Sequence, residues 1–231
     1  MKAIIPCGGL GTRMNPTSEY IPKELMPIWD KPAVYYTIRE ALNAGLFPIV
    51  LVVSPSKLDM FMKVFPSMDC GIKFVIQDSP SGLGPAIACA LNDCDESASI
   101  LLPDEFIPDG ISKLLDSGRN ILVKKIPPQK RCEYGMIETD LDYNILSIHE
   151  KPKCECIYNL GIIGRYVLNN NVLSRLRSGH SLDYVLNIAC AQNRLTCCEY
   201  YGTRYDTGCR EGWMSANIHV ALQNDYKLQS T

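Results

Sequence analysis

The sequence predicts a doubly wound α/β sheet in a single compact domain, and three observations carry that expectation. Strand and helix signals alternate through the first 125 residues, the rhythm of a parallel sheet with crossover helices. Pro48-Ile49-Val50-Leu51-Val52-Val53 is apolar on both faces, as a strand buried between two helix layers must be. The opening apolar strand, Lys2 to Pro6, runs directly into Cys7-Gly8-Gly9-Leu10-Gly11-Thr12-Arg13, a glycine loop placed where such sheets bind ligands.

Taken in order, Ile4-Ile5 forms the first strand. Asp30 is expected to cap a helix with Pro32 near its start. Val34, Ile38, Ala41 and Leu42 then line one face, and Gly45 ends the helix. Strands follow at Pro48–Val53 and Ile72–Gln77, with a helix from about Gly84 to Leu91. Ser99–Leu102 and Ile121–Lys125 are further strands. Tyr134–Thr139 and Ile145–His149 read as a hairpin around Asp142-Tyr143-Asn144. Gly161–Leu168 is a strand, Asn170–Arg177 and Leu182–Gln192 are helices, Leu195–Tyr201 is a late strand, and Glu211–Tyr226 is a final helix.

Composition narrows the function. The chain of 231 residues is 46% hydrophobic and 21% charged, with a net charge of −2, which argues against a nucleic-acid surface. No apolar run is long enough for a signal segment or a membrane span, so a cytoplasmic location is expected. The eleven cysteines are odd in number, and neither Cys154-x-Cys156 nor Cys197-Cys198 has zinc spacing. They read as free thiols serving as small apolar residues.

The glycine loop reads as a phosphate site. Backbone N–H groups of Gly8, Gly9 and Gly11 can close on an anion, and Arg13 and Lys23 add two fixed positive charges. Met14 stands where a dinucleotide loop needs its third glycine, and no Gly-Lys-Ser/Thr closes a triphosphate-hydrolase loop. A tight turn without a ligand is the plain alternative. Asp104, after the Ser99–Leu102 strand, and Asp206, in Tyr205-Asp206-Thr207-Gly208, are two carboxylates suited to Mg²⁺ beside phosphate oxygens. Gln77, followed by Ser81-Gly82-Leu83-Gly84, offers an amide and close backbone approach to a flat base. As a bare pattern, Glu150-Lys151-Pro152-Lys153 reads as a solvated charge run.

These blocks together resemble a family. Cys7 to Met14 followed by Ile21-Pro22-Lys23-Glu24-Leu25-Met26-Pro27-Ile28 looks like the signature of the sugar-1-phosphate nucleotidyltransferases, closest to the bacterial-type UTP–glucose-1-phosphate uridylyltransferases. Asp30-Lys31-Pro32, Gly82-Leu83-Gly84, Leu101-Leu102-Pro103-Asp104, Tyr134-Gly135, Glu150-Lys151-Pro152, Gly164-Arg165-Tyr166-Val167-Leu168 and Tyr205-Asp206-Thr207-Gly208 continue the likeness in order.

The resemblance implies a Rossmann-like mixed sheet with a nucleotide-binding half, 1–125, and a sugar-phosphate-binding half, 126–231. It implies transfer of a nucleotidyl group from UTP to a sugar 1-phosphate, with Mg²⁺ as cofactor. Gly8, Gly9, Gly11 and Thr12 would hold the nucleotide, while Gln77 and Gly82 read its base. Arg13 and Lys23 would bind the outer phosphates and Asp104 with Asp206 the metal. Gly135, Glu150 and Asn159 would grip sugar hydroxyls and Lys151 the sugar phosphate. Under this reading the Glu150-Lys151 pair gains a role. Cys7 and Asn15 depart from the family pattern, Cys7 standing where alanine is usual. The chain is also some tens of residues shorter than those relatives, chiefly after Asp109 and Trp213, so a homo-oligomer stays open.

Overall fold

The computed structural model describes residues 1–66, 71–153 and 156–228; Cys70 and Cys154 lie outside the described residues. β1 (Lys2–Pro6) leads through the glycine loop to a 3-10 turn (Thr12–Met14), the single-turn α1 (Thr17–Tyr20) and a second 3-10 turn (Lys23–Leu25). The short β2 (Pro27–Ile28) and β3 (Lys31–Pro32) pair with each other before α2 (Ala33–Asn43). Then come β4 (Ile49–Val53), α3 (Pro55–Val64), β5 (Ile72–Ile76), α4 (Leu83–Cys89), β6 (Ser97–Leu101), β7 (Glu105–Phe106), α5 (Gly110–Asp116) and β8 (Ile121–Lys125). The second half holds β9 (Gly135–Thr139), β10 (Ile145–Glu150), β11 (Leu160–Asn169), α6 (Asn170–Arg177), α7 (Leu182–Ala191), β12 (Cys197–Glu199), β13 (Tyr205–Asp206) and α8 (Arg210–Leu228).

Nine strands among the described residues form one sheet in the order β10-β9-β11-β6-β1-β4-β5, with β8 joined to β11 and β12. β6, β1, β4 and β5 are mutually parallel, while β11 runs antiparallel to β6, β8 and β9. The sheet is therefore mixed, as expected, and β11 ties the two halves of the chain into one sheet. Alternate residues of β1 feed opposite faces: Ile4 packs in one core with Val50, Val52 and Ile100, and Ala3 and Ile5 in the other with Ile49, Leu51 and Val53. The chain winds outward from β1 through β4 to β5, then returns to place β6 on its other side. The strand order reverses at β1, and the crevice of an open α/β sheet opens at such a reversal.

Several expectations need correction. Asp30 does not cap α2; the cap position is Pro32, and Asp30 instead pairs with Lys31 in the β2–β3 turn. The proline already supplies the φ that a helix start requires. α3 and α5 are helices absent from the sequence reading. Ser54 followed by Pro55 is an N-terminal signal for α3, and Phe61 is its fully buried contact. The late strand is limited to Cys197–Glu199, because only those residues pair with β8. The β9–β10 hairpin turns as expected, with Asp140 Oδ1 accepting from the N–H groups of Asp142 and Asn144, each at 2.9 Å. Cys89, Cys94, Cys156, Cys190, Cys197, Cys198 and Cys209 are free thiols, as is Cys7, which is fully buried against β4; that burial accounts for its place before the glycines.

A buried ion pair holds the end of β6. Arg165, fully buried on β11, forks to both oxygens of Glu40 on α2 and donates to the carbonyls of Leu102, Gly164 and Glu105. Glu40 Oε1 also accepts from Ile111 N–H at 2.7 Å. Every guanidinium nitrogen is satisfied, and the segment 102–105 is clamped from three sides. Arg165→Met leaves Glu40 as a buried carboxylate without its counter-charge. It is expected to lower stability by about 3–5 kcal/mol, measurable by urea unfolding.

Candidate active site

The glycine loop takes its shape from backbone constraints. Gly11 has φ +70°, a conformation that side-chain-bearing residues rarely adopt, and it starts the turn that carries Thr12 and Arg13. Gly8 lies against Gln77: a Cβ there would come 2.9 Å from Gln77 Oε1. Gln77 is buried, and its amide donates to the carbonyl of Gly82 at 3.2 Å. The structure thus brings Gly8, Gln77 and Gly82 together, while Thr12 and Gly9 are exposed on the loop.

Lys57, which the sequence alone did not single out, braces this loop from below. Its ammonium donates to the carbonyls of Cys7 at 2.9 Å and Gly9 at 2.6 Å, and to Glu24 Oε2 at 2.9 Å. All three N–H donors are used. Two loop carbonyls are turned toward the lysine, and the loop is tied to the Pro22-Lys23-Glu24 segment. Glu24 is 1% exposed and its Oε1 has no hydrogen-bond partner. Burial pushes its carboxyl up, against the pull of Lys57 and Lys23. Lys57→Met is expected to lower stability by about 3–5 kcal/mol and to raise the KM for nucleotide, read by thermal unfolding and steady-state kinetics. The Ser54-Pro55 helix start, which sets Lys57 in the first turn of α3, is the sequence signal that could have found it.

The two predicted carboxylates meet although they are far apart in sequence. β13 pairs antiparallel with β7, so Asp206 lies opposite Glu105 and next to Asp104. The N–H of Thr207 donates to the Asp104 carbonyl at 2.8 Å, and that of Gly208 to Asp206 Oδ1 at 2.9 Å. A Cβ at position 208 would lie 3.0 Å from both Asp104 Oδ2 and Asp206 Oδ1. It would also lie 2.6 Å from Arg13 Nη2, so both acids and the guanidinium crowd onto a bare Cα that only glycine provides.

Both predicted cations join them. Lys23 Nζ donates to Asp104 Oδ2 at 2.5 Å. Arg13 Nη1 lies 2.9 Å from Asp206 Oδ2, and its Nη2 is 3.8 Å from Asp104. Burial alone would raise the Asp104 carboxyl, but the charge and hydrogen bond of Lys23, with Arg13, hold it below its usual value. Burial alone would lower Lys23, yet Asp104 and Glu24 carry it above its ordinary value. The four groups form a balanced cluster, with Arg13 half exposed toward solvent.

Beside the cluster opens a cleft of about 570 Å³. Arg13, Asp104 and Asp206 line one end, and Gly135, Glu150 and Lys151 the other. A Cβ on Gly135 would reach within 2.9 Å of Glu150 Oε2, so these two predicted residues are neighbours. Burial and the nearby Asp183 push the Glu150 carboxyl up, with Lys151 opposing. Lys151 is exposed, has φ +43°, and its N–H is fixed to the Tyr134 carbonyl at 3.1 Å. Asn159 is different: it is exposed before β11, is not among the residues lining this cleft, and contributes its backbone carbonyl to Ile126 N–H. Sequence reading also missed Glu105, Tyr134 and Asp183, which line the cleft.

Fixed cations and paired carboxylates lining a cleft at the reversal point of an α/β sheet are a constellation suited to phosphate esters, and the class of protein is given by the family. The description "Nucleotidyl transferase" matches residues 2–199, and the chain belongs to that family. It is similar to the UTP–glucose-1-phosphate uridylyltransferase of Bacillus subtilis (strain 168), 30% identical over 96% of this chain and 91% of that protein. That alignment runs over 267 positions, more than the chain itself holds, so the relative carries insertions within the matched span. The enzyme of the same name from Mycoplasma genitalium is also 30% identical, over 96% of this chain and 92% of its own length. Among solved structures, a UDP-glucose pyrophosphorylase from Acinetobacter baumanii has a TM-score of 0.80 at 27% identity, covering 96% and 93% of the two chains. A UDP-glucose pyrophosphorylase complexed with UDP-glucose has a TM-score of 0.82 at 25% identity, covering 96% and 98%.

Proposed function

We propose that this chain makes a UDP-sugar and pyrophosphate from UTP and a sugar 1-phosphate, with glucose 1-phosphate as the acceptor. The convergence of Arg13, Lys23, Asp104 and Asp206 at one end of a cleft that holds Gly135, Glu150 and Lys151 at the other carries this reading. The names of the uridylyltransferase relatives support the choice of substrates.

The acceptor phosphate is already ionised at neutral pH, so its oxygen attacks the α-phosphorus of UTP without a general base. Pyrophosphate leaves in line. The chain's task is to align two polyanions that repel by several kcal/mol at close approach, even at an effective dielectric of ~20. In this reading Gly8, Gly9, Gly11 and Thr12 hold the nucleotide and Gln77 with Gly82 its base. Arg13 and Lys23 take the outer phosphates, shifting from the carboxylates they now balance. Lys151 takes the acceptor phosphate, and Gly135 and Glu150 take sugar hydroxyls. Asn159 serves the sugar only if its exposed amide reaches over the cleft rim.

The family uses a divalent cation, and the carboxylates suit one: Asp104 and Asp206 converge beside Arg13 at the bare Cα of Gly208, and Lys23 with Arg13 holds the Asp104 carboxyl below its usual value. Asp104 and Asp206 would hold Mg²⁺, which supplies charge neutralisation on the departing pyrophosphate. In this reading residues 1–125 take the nucleotide and residues 126–231 the sugar phosphate, with Asp206 returning to the nucleotide end through the β7–β13 pairing. No helix among the described residues is long and apolar enough to cross a membrane.

The test is pyrophosphate release from each pairing of UTP or dTTP with glucose 1-phosphate and N-acetylglucosamine 1-phosphate. Release with UTP and glucose 1-phosphate is expected to exceed the other pairings. Release only with dTTP or with the acetylated sugar reassigns the substrates. No release with any pair moves the chain to a non-catalytic nucleotide-sugar binder.

A further inference from the structure

Arg204 belongs to none of the groups assigned above, yet it is the side chain that joins the two ends of the cleft. Its Nε and one terminal nitrogen fork onto Glu105 at 2.7 and 2.5 Å. Its other terminal nitrogen donates to the Tyr134 hydroxyl at 2.9 Å, and the guanidinium lies 4.9 Å from the centre of the Tyr134 ring. The side chain is 10% exposed.

Each partner leads to a different part of the site. Glu105 follows Asp104 directly and pairs across β7–β13 with Asp206, while Arg204 itself immediately precedes β13. Tyr134 precedes Gly135, and its carbonyl holds the N–H of Lys151. β7 and β13 form their own two-stranded ribbon, separate from the main sheet, whereas β9 and β10 are an edge of that sheet. One planar fork therefore spans the gap between a detached ribbon that carries the acid pair and a hairpin that carries the acceptor residues. A guanidinium suits this use, since its donors are pre-set in a plane and it also stacks on an aromatic face.

We infer that Arg204 is a positioning residue that sets the distance between the nucleotide end and the acceptor end of the cleft. It acts through Glu105 and Tyr134 and touches neither reacting phosphate. The inference rests on the proposed transfer from UTP to a sugar 1-phosphate. Alignment errors of about 1 Å lower turnover by ~10²-fold in reactions that depend on in-line placement. Loss of Arg204 should therefore damage the joint use of both substrates far more than the binding of either nucleotide or metal.

The experiment compares wild type, Arg204→Met, Arg204→Lys and Tyr134→Phe with UTP and glucose 1-phosphate. Arg204→Met is expected to lower kcat by ~10²-fold and to raise the KM for glucose 1-phosphate. UTP affinity, measured by calorimetry without acceptor, should stay within about 3-fold of wild type, because the hydrogen bonds of Arg204 go to Glu105 and Tyr134, outside the glycine loop. Arg204→Lys keeps the charge but not the fork, and should recover only part of the loss. Tyr134→Phe is the variant least prone to misfold. It should stay within about 4 °C of the wild-type Tm while raising the KM for glucose 1-phosphate by about 5-fold, the effect of one hydrogen bond. Unchanged kinetics in Arg204→Met and Tyr134→Phe, or a fall in UTP affinity equal to the fall in kcat, would overturn the assignment. Wild type is assayed alongside, so failure of the functional reading shows as an inactive wild type, and failure of this inference as unaffected variants.

Discussion

Asp104→Asn is expected to lower kcat by about 10³-fold at saturating Mg²⁺, the equivalent of roughly 4 kcal/mol of lost charge stabilisation. The amide keeps the shape of the carboxylate but halves the formal charge of the acid pair at Gly208. It also removes the charged partner of Lys23 at 2.5 Å. Wild-type turnover in this variant at saturating Mg²⁺ would sink the metal assignment. The same substitution carries a pH signature. Lys23 and Arg13 hold the Asp104 carboxyl below its usual value despite burial. A depressed carboxyl stabilises the fold above its unfolded pKa, near 3.9, and that contribution is lost as pH falls through the lower folded value. The stability gap between wild type and Asp104→Asn should therefore be widest at neutral pH and close below about pH 4, as read by denaturant titrations across that range.

Arg13→Ala is expected to cut kcat by about 10²–10³-fold with little change in the fold. Arg13 is half exposed, and its pairs with Asp206 and Asp104 sit at the mouth of the cleft, so its loss should shift stability by no more than about 1 kcal/mol. A further readout separates its role from that of Asp104. Removing Arg13 frees Asp206 from its strongest competitor, so the apparent affinity for Mg²⁺ should hold or improve while turnover collapses. A rise in the Mg²⁺ requirement would instead make Arg13 a support for the metal site. Arg13→Lys should recover only part of the rate, because a single ammonium cannot reproduce the fork.

The residues that the sequence made legible are those whose chemistry is announced locally. Gly11 needs a left-handed φ, β4 needs a doubly apolar run, and the hairpin turn at Asp142-Tyr143-Asn144 needs short polar residues; each requirement is met within a few adjacent residues. The glycine loop with Arg13 and Lys23 was readable for that reason, and so was the sheet it follows. Asp30 misled because an acid before a proline satisfies two start signals, and the proline won. Lys57 lies on α3, a helix absent from the sequence reading, and Arg204 precedes a two-residue strand whose pairing partner is also two residues long.

Periodicity, glycine placement and strand-end acids determined the fold class and pointed to the glycine loop and its acids as the candidate site, because backbone preference and hydrophobic patterning act over a few residues. The partners of those residues were decided by tertiary structure alone. Asp104 meets Asp206 only because β13 returns to pair with β7, Lys57 reaches the loop only because β4 and α3 lie beside β1, and Arg204 bridges two elements that belong to different sheets. Charge pairing depends on distance in space, and for groups separated by a hundred residues or more that distance exists only once the sheet has closed.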